Sequence, residues 1–186
     1  MEEIHSLQGH LLIATPELKG TLFEEAVIYL FSHDSDGAMG VIINKPHPIS
    51  WREICVQLNL DNTAQTAPTV FNGGPVSVEH GYLLYQSDTS DDEHSFDISP
   101  ELHVSTSNTR LADIAAGKPP EQFRLFLGYS GWSEGQLDQE IRENAWLTLN
   151  ADSTLLFSSD THTLYQDALG RLGIDLHHFN HHAGHA

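Results

Sequence analysis

Hydrophobic and polar positions alternate irregularly along the 186-residue chain. "HLLIA" (10–14) reads as a short buried strand, ended by Thr15-Pro16. "AVIYLFSHDSDGAMGVIINKP" (26–46) carries two β-rich runs around "SHDSDGA". Asp36-Gly37 can supply the positive φ of a hairpin turn. Pro46 then closes the second strand, because it has no N–H for a ladder. "SWREICVQLNL" (50–60) predicts a helix with Ser50 as N-cap, Glu53 completing a capping box, and Trp51, Ile54, Cys55 and Leu58 on one face. "TVFNGGPV" (69–76) is a short strand running into a Gly-Gly-Pro turn, and "GYLLYQS" (81–87) is another strand. "SFDIS" and "LHVSTS" are short β-like pieces around Pro100. "NTRLADIAAG" (108–117) predicts a helix with Gly117 just past its end. The strand "FRLFLGY" (123–129) leads through a tight glycine-bordered turn into a helical segment, 133–144. "AWLTLNA" predicts a strand, and a last helix, 160–173, is closed by glycine. Many short strands thus interleave with about three helices. The irregular order points to an α+β (mixed α/β) domain rather than a doubly wound sheet.

Composition narrows the function classes. Eight Lys and Arg against 26 Asp and Glu give a net charge of −18, a field that repels a nucleic-acid backbone. Cys55 is the sole cysteine, so neither an internal disulfide nor a cysteine metal cluster can form. The N-terminal stretch is acidic with only a short apolar run, unlike a signal peptide. No window approaches the roughly 20 apolar residues of a membrane helix. These features predict a cytoplasmic protein that binds neither membrane nor nucleic acid directly.

Catalytic patterns are incomplete. Gly128-Tyr129-Ser130-Gly131-Trp132 begins like a nucleophile elbow, but Trp132 stands where the second glycine belongs. "HDSDGAMG" fails as a calcium loop, because Met39 and Lys45 occupy the positions of its required Gly and Glu. No phosphate-binding glycine motif occurs. Glu134, Asp138, Glu140 and Glu143 read as a solvated helix face. In the tail "HHFNHHAGHA", His177/His181, His178/His182 and His181/His185 are spaced for a helical metal site, but Gly184 and the chain end oppose a helix. The reading is no catalytic constellation, no cofactor and no functional metal.

Several segments together resemble the bacterial YqgE/AlgH family: "GAMGVIINKP" (37–46), "FNGGPV" (71–76), "LGYSGWSEGQLDQEIRENAWL" (127–147) and the closing "AGHA". "HLLIATP" and "TSNTRLADIAAG" also fit. The resemblance implies one domain, 1–176, with a mixed sheet curled toward a pseudo-barrel, followed by a His-rich tail, 177–186, whose first four histidines are particular to this sequence. It implies no defined reaction and carries the label of a transcriptional regulator. Two function classes follow. The first is a non-enzymatic accessory or regulatory protein acting through an unknown protein partner. The second is a small-molecule binder or enzyme with a site where the turns 37–46, 71–76 and 128–132 meet. The candidate surface comprises Asn44, Gly73, Gly74, Pro75, Tyr129, Gly131, Trp132 and Gln136.

Overall fold

The computed structural model describes residues 5–65, 67–89, 95–158 and 160–175. In chain order these form β1 His10–Ala14, β2 Val27–Asp34, β3 Gly37–Ile42, α1 Trp51–Gln57, β4 Val70–Asn72, β5 Val76–Gln86, β6 Ser95–Asp97, β7 Leu102–Ser105, α2 Asn108–Ala115, β8 Gln122–Ser133, α3 Gln136–Arg142, β9 Trp146–Asn150, α4 Ser153–Leu156 and α5 Leu164–Arg171. The nine strands make one sheet in the order β6-β7-β5-β8-β3-β2-β1-β9, with β4 added beside β8. Every pairing is antiparallel except β4 with β8. The sheet curls into a half-barrel, which makes this the expected α+β fold. Among the described residues five α-helices are present, four of them of seven residues or more. The short α4 has no signal in the hydrophobic pattern. The tail 177–186 and residues 90–94 of the acidic loop lie outside the described residues.

β1 and β2 are buried on both faces, which explains their unbroken apolar runs. Leu11, Ile13, Val27, Tyr29 and Phe31 face a core closed by α4 and α5. Leu12, Ile28 and Leu30 face the other way, toward Leu137 of α3 and the indoles of Trp132 and Trp146. A third cluster seats α1 and α2 on β8 and β5, through Trp51, Ile54, Cys55, Leu111, Ile114, Leu83 and Leu125. The capping box of α1 forms as expected: Glu53 N donates to Ser50 Oγ at 3.2 Å, and Ser50 N donates to Glu53 Oε2 at 2.8 Å. The β2–β3 hairpin also forms, with Asp34 paired to Gly37.

The region 128–132 is not a turn. β8 runs straight through it to Ser133, and Ser130, Gly131, Trp132 and Ser133 pair with Gly40, Met39, Ala38 and Gly37 of β3. The glycines that suggest a chain reversal serve close approach instead. β8 carries β5 along one edge, and β4 followed by β3 along the other. Where β4 gives way to β3, the Gly73-Gly74 segment crosses β8 at backbone distance. A Cβ on Gly73 would lie 2.2 Å from the Gly128 carbonyl oxygen, and one on Gly74 would lie 2.3 Å from the Tyr129 backbone. The Ile42 N–H closes the crossing by donating to the Gly73 carbonyl at 3.0 Å.

This crossing predicts a contrast between two left-handed glycines. Gly74 (φ +149°) is walled in, whereas Gly135 (φ +69°) has nothing within 4 Å of its virtual Cβ. Gly74→Ala should lower the unfolding free energy by at least ~2 kcal/mol in urea titration, and Gly135→Ala by only about 1 kcal/mol.

Candidate functional site

The crossing fixes where the candidate residues stand. Ser130 is fully buried, and its hydroxyl donates to the Gly73 carbonyl at 3.1 Å. It is a structural staple rather than an exposed nucleophile. Gly73 and Gly74 are buried beside it, and Pro75 is exposed at the exit of the turn. Tyr129 is half-buried, pairs with Val76 and packs on Tyr82 at a ring separation of 5.5 Å. Gly131 is exposed on β8. The three segments 37–46, 71–76 and 128–132 do meet, but at the crossing they meet backbone against backbone.

Trp132 and Gln136 belong to a separate cluster around Glu140. The indole N–H groups of Trp132 and Trp146 each donate to Glu140 Oε2 at 2.8 Å. Gln136 Nε2 donates to Glu140 Oε1 at 2.9 Å, and Gln136 Oε1 accepts from the Ser133 N–H at 3.0 Å. The two indoles pack edge to face at 6.0 Å. One carboxylate thereby ties β8, α3 and β9 together. The sequence pattern places Glu140 on a solvated face; the structure turns it toward two indole donors instead. Such donors are costly to bury unpaired.

Asn44 sits at a third place. Its Oδ1 accepts from the Val27 N–H at 2.9 Å, and its Nδ2 donates to the Glu25 carbonyl at 2.8 Å. This clamp holds Glu25 in a left-handed conformation, φ +54°. Arg124 has no counterpart in the motif reading, although it is the one cation inside the apolar run "FRLFLGY". It is 6% exposed, and burial pulls its guanidinium down to about 10. It donates to the carbonyls of Ile43, at 2.6 Å, and Ser158, and it lies 4.6 Å from the centre of the Phe71 ring.

An open site lies next to the crossing. The Gly74-Pro75 turn launches an irregular segment of β5 between Val76 and Gly81, in which Ser77 has φ +47°. That segment forms one wall of a groove of about 540 Å³. Ile54 of α1 and Leu58, its C-cap, form another wall, and Tyr82, Leu111, Leu125 and Leu127 add to the lining. His47, Gln57, Glu79, His80 and Asn108 add polar groups. Leu58 and Val78, both in the lining, are 38% and 55% exposed. Val56 and Val76, on the same two elements, are 71% and 37% exposed. Two of the five exposed large hydrophobic side chains of the described residues, Leu58 and Val78, therefore line this groove. Residue pattern alone does not reveal it, because its walls come together only through the crossing.

Among the described residues, no group of three or more His, Cys, Asp or Glu is arranged to hold a metal ion. Among these residues no helix is long and apolar enough to cross a membrane.

Comparison with known proteins agrees with this architecture. The AlgH-like family model matches residues 11–177. A UPF0301 protein of Shewanella loihica is 41% identical over 184 residues, covering 97% of this chain and 99% of that protein. Another from Pseudoalteromonas translucida is 38% identical over 190 residues, covering 98% of this chain and all of its own length. The solution structure of the AlgH protein from Pseudomonas aeruginosa superposes with a TM-score of 0.77 at 36% identity, over 100% of this chain and 99% of that one. The crystal structure of a Corynebacterium diphtheriae protein, 21% identical, shares the fold with a TM-score of 0.71, over 92% of this chain and 90% of that one.

The Glu140 cluster makes its own prediction. Glu140→Ala strands two indole donors and should cost about 2 kcal/mol, whereas Glu140→Gln keeps an acceptor and should cost roughly half of that. Guanidinium unfolding followed by tryptophan fluorescence separates the two.

Proposed function

The chain belongs to the AlgH-like family, and we propose that it is a non-enzymatic accessory or regulatory protein that docks a segment of another protein in the groove between α1 and β5. The observation that carries this reading is the exposure of Leu58 and Val78 within the lining of one largely apolar concavity. Isolated exposed apolar residues are ordinary; exposed apolar residues that line a groove mark an interaction surface. The buried position of Ser130 and the engagement of Glu140 by two indole N–H groups support a non-enzymatic role for the motif, since the hydroxyl is shut from solvent and the carboxylate is already satisfied.

The partner segment is apolar with flanking Lys or Arg. The net charge of −18 attracts a cationic partner and opposes a nucleic-acid backbone, and Glu79 places a carboxylate on the groove wall. A regulatory role then runs through protein contact rather than direct DNA binding. The Gly73-Gly74-Pro75 turn and Tyr129 act here as positioning residues, because they set the start of the β5 segment that walls the groove.

The test is selection from a random peptide library displayed on phage, with wild-type protein as bait. Enriched sequences should combine apolar anchors with Lys or Arg. Their affinity should fall with added salt, and at least about tenfold in Val78→Asp or Leu58→Asp, as expected when a charge enters an apolar contact. Melting curves of the variants should match wild type. Enrichment without basic residues, or binding indifferent to both substitutions, overturns the reading.

A further inference from the structure

A second site lies beside α5, away from the groove. A polar cleft of about 450 Å³ is lined by residues that include Glu24, Glu25, Asn44, Lys45, His162 and Tyr165. An apolar hollow of about 330 Å³ shares Tyr165 with it and is lined by Pro16, Leu147, Leu169 and Ile174 among others. The two follow the sheet order. Lys45 comes just after β3, Glu25 just before β2, Ala14 ends β1 and Leu147 lies in β9. Tyr165 is held in place between them, its hydroxyl donating to the Ala14 carbonyl at 2.6 Å.

The polar half carries both charge signs. Lys45 Nζ donates to the Leu22 carbonyl at 2.7 Å, which leaves two of its three N–H donors for other acceptors. Glu24 Oε2 accepts from the Gly20 N–H at 2.9 Å, so its second oxygen remains available. Glu24 and Glu25 both act electrostatically on Lys45, and Glu25 also acts on Tyr165. Burial pulls the Lys45 ammonium below its ordinary value, against the two carboxylates that hold it up. The left-handed backbone of Glu25, fixed by Asn44, is the kind of local strain that persists where surrounding structure enforces it.

One cation, two carboxylates and an adjoining apolar hollow match a small zwitterion with an apolar side chain. We propose that this site binds a free apolar α-amino acid. Its ammonium lies between Glu24 and Glu25, its carboxylate meets Lys45 Nζ, and its side chain enters the hollow past Tyr165. A simple fatty acid leaves the two carboxylates unanswered, and a simple amine leaves Lys45 unanswered.

The test is calorimetric and NMR titration of the full chain with L-leucine and L-phenylalanine. The comparison ligands are 4-methylpentanoate, which lacks the ammonium, 3-methylbutylamine, which lacks the carboxylate, and glycine, which lacks the side chain. At least one of the two apolar amino acids should bind saturably and shift the resonances of Glu25, Lys45, Tyr165 and Leu169. Each comparison ligand should bind about tenfold more weakly or worse, the scale of one lost charged hydrogen bond or a lost apolar contact. Lys45→Gln should weaken binding by a similar factor, and Lys45→Arg should retain it. Val78→Asp, in the groove, should leave it unchanged, so this site and the docking groove fail independently. Lack of saturable binding by either apolar amino acid, equal binding of an analogue missing one charge, or loss of binding in Val78→Asp overturns the assignment.

Discussion

The contact on which the rest of the structure depends is the backbone crossing of Gly73-Gly74 over Gly128. Two carbonyl oxygens there stand only 2.2 and 2.4 Å from where a Cβ on Gly73 or Gly128 would be. Nothing larger than hydrogen fits. The crossing lets β4 and β3 follow one another along a single edge of β8, while β5 lies along the other edge as far as Tyr129. Without it, β3 and β4 would compete for the same edge, and the sheet could not curl around the core beneath α4 and α5. The turn that follows also sets the departure of β5, and with it one wall of the groove.

The Glu140 cluster closes the far end of the same sheet by different chemistry. Here one carboxylate satisfies two indole donors and Gln136, and so joins β8, α3 and β9. Trp132 lies four residues along β8 from Gly128. Consequently one continuous strand carries both devices, the crossing by close approach and the knot by hydrogen bonding. A strand with both tasks reads in sequence as a dense motif, and this one resembles a catalytic elbow because glycine beside serine serves both purposes.

Much of the fold was legible from local pattern. The hairpin at Asp34–Gly37 and the capping box at Ser50/Glu53 are set by neighbours in the chain, and both stand where expected. The path of β8 was not. Gly128 and Gly131 look like turn formers, and only partners some 57 residues away in sequence, such as Gly73 to Ser130, reveal that the strand continues. Glu140 was misjudged for a related reason. A helical carboxylate looks solvated until tertiary contacts supply its donors. Asn44, Tyr129, Trp132 and Gln136 were read together as one candidate surface, whereas the structure distributes them among a corner clamp, a ring contact and the Glu140 knot. The groove walls Leu58 and Val78 carry no motif at all.

That separation bears on what a resemblance in this family can establish. The recognisable residues are those whose geometry allows few substitutes: glycine at a 2.2 Å approach, or indoles sharing one carboxylate. Such residues certify an architecture. The groove and the cleft beside α5 are instead lined by ordinary residues, such as Val78, Leu58, Lys45 and Glu25, that can change without breaking the sheet. Specificity for a partner or ligand is therefore free to vary on a fixed frame, as it does when loops vary on a rigid scaffold. The proposed docking and ligand sites accordingly lie at these walls rather than in the motif that identifies the family.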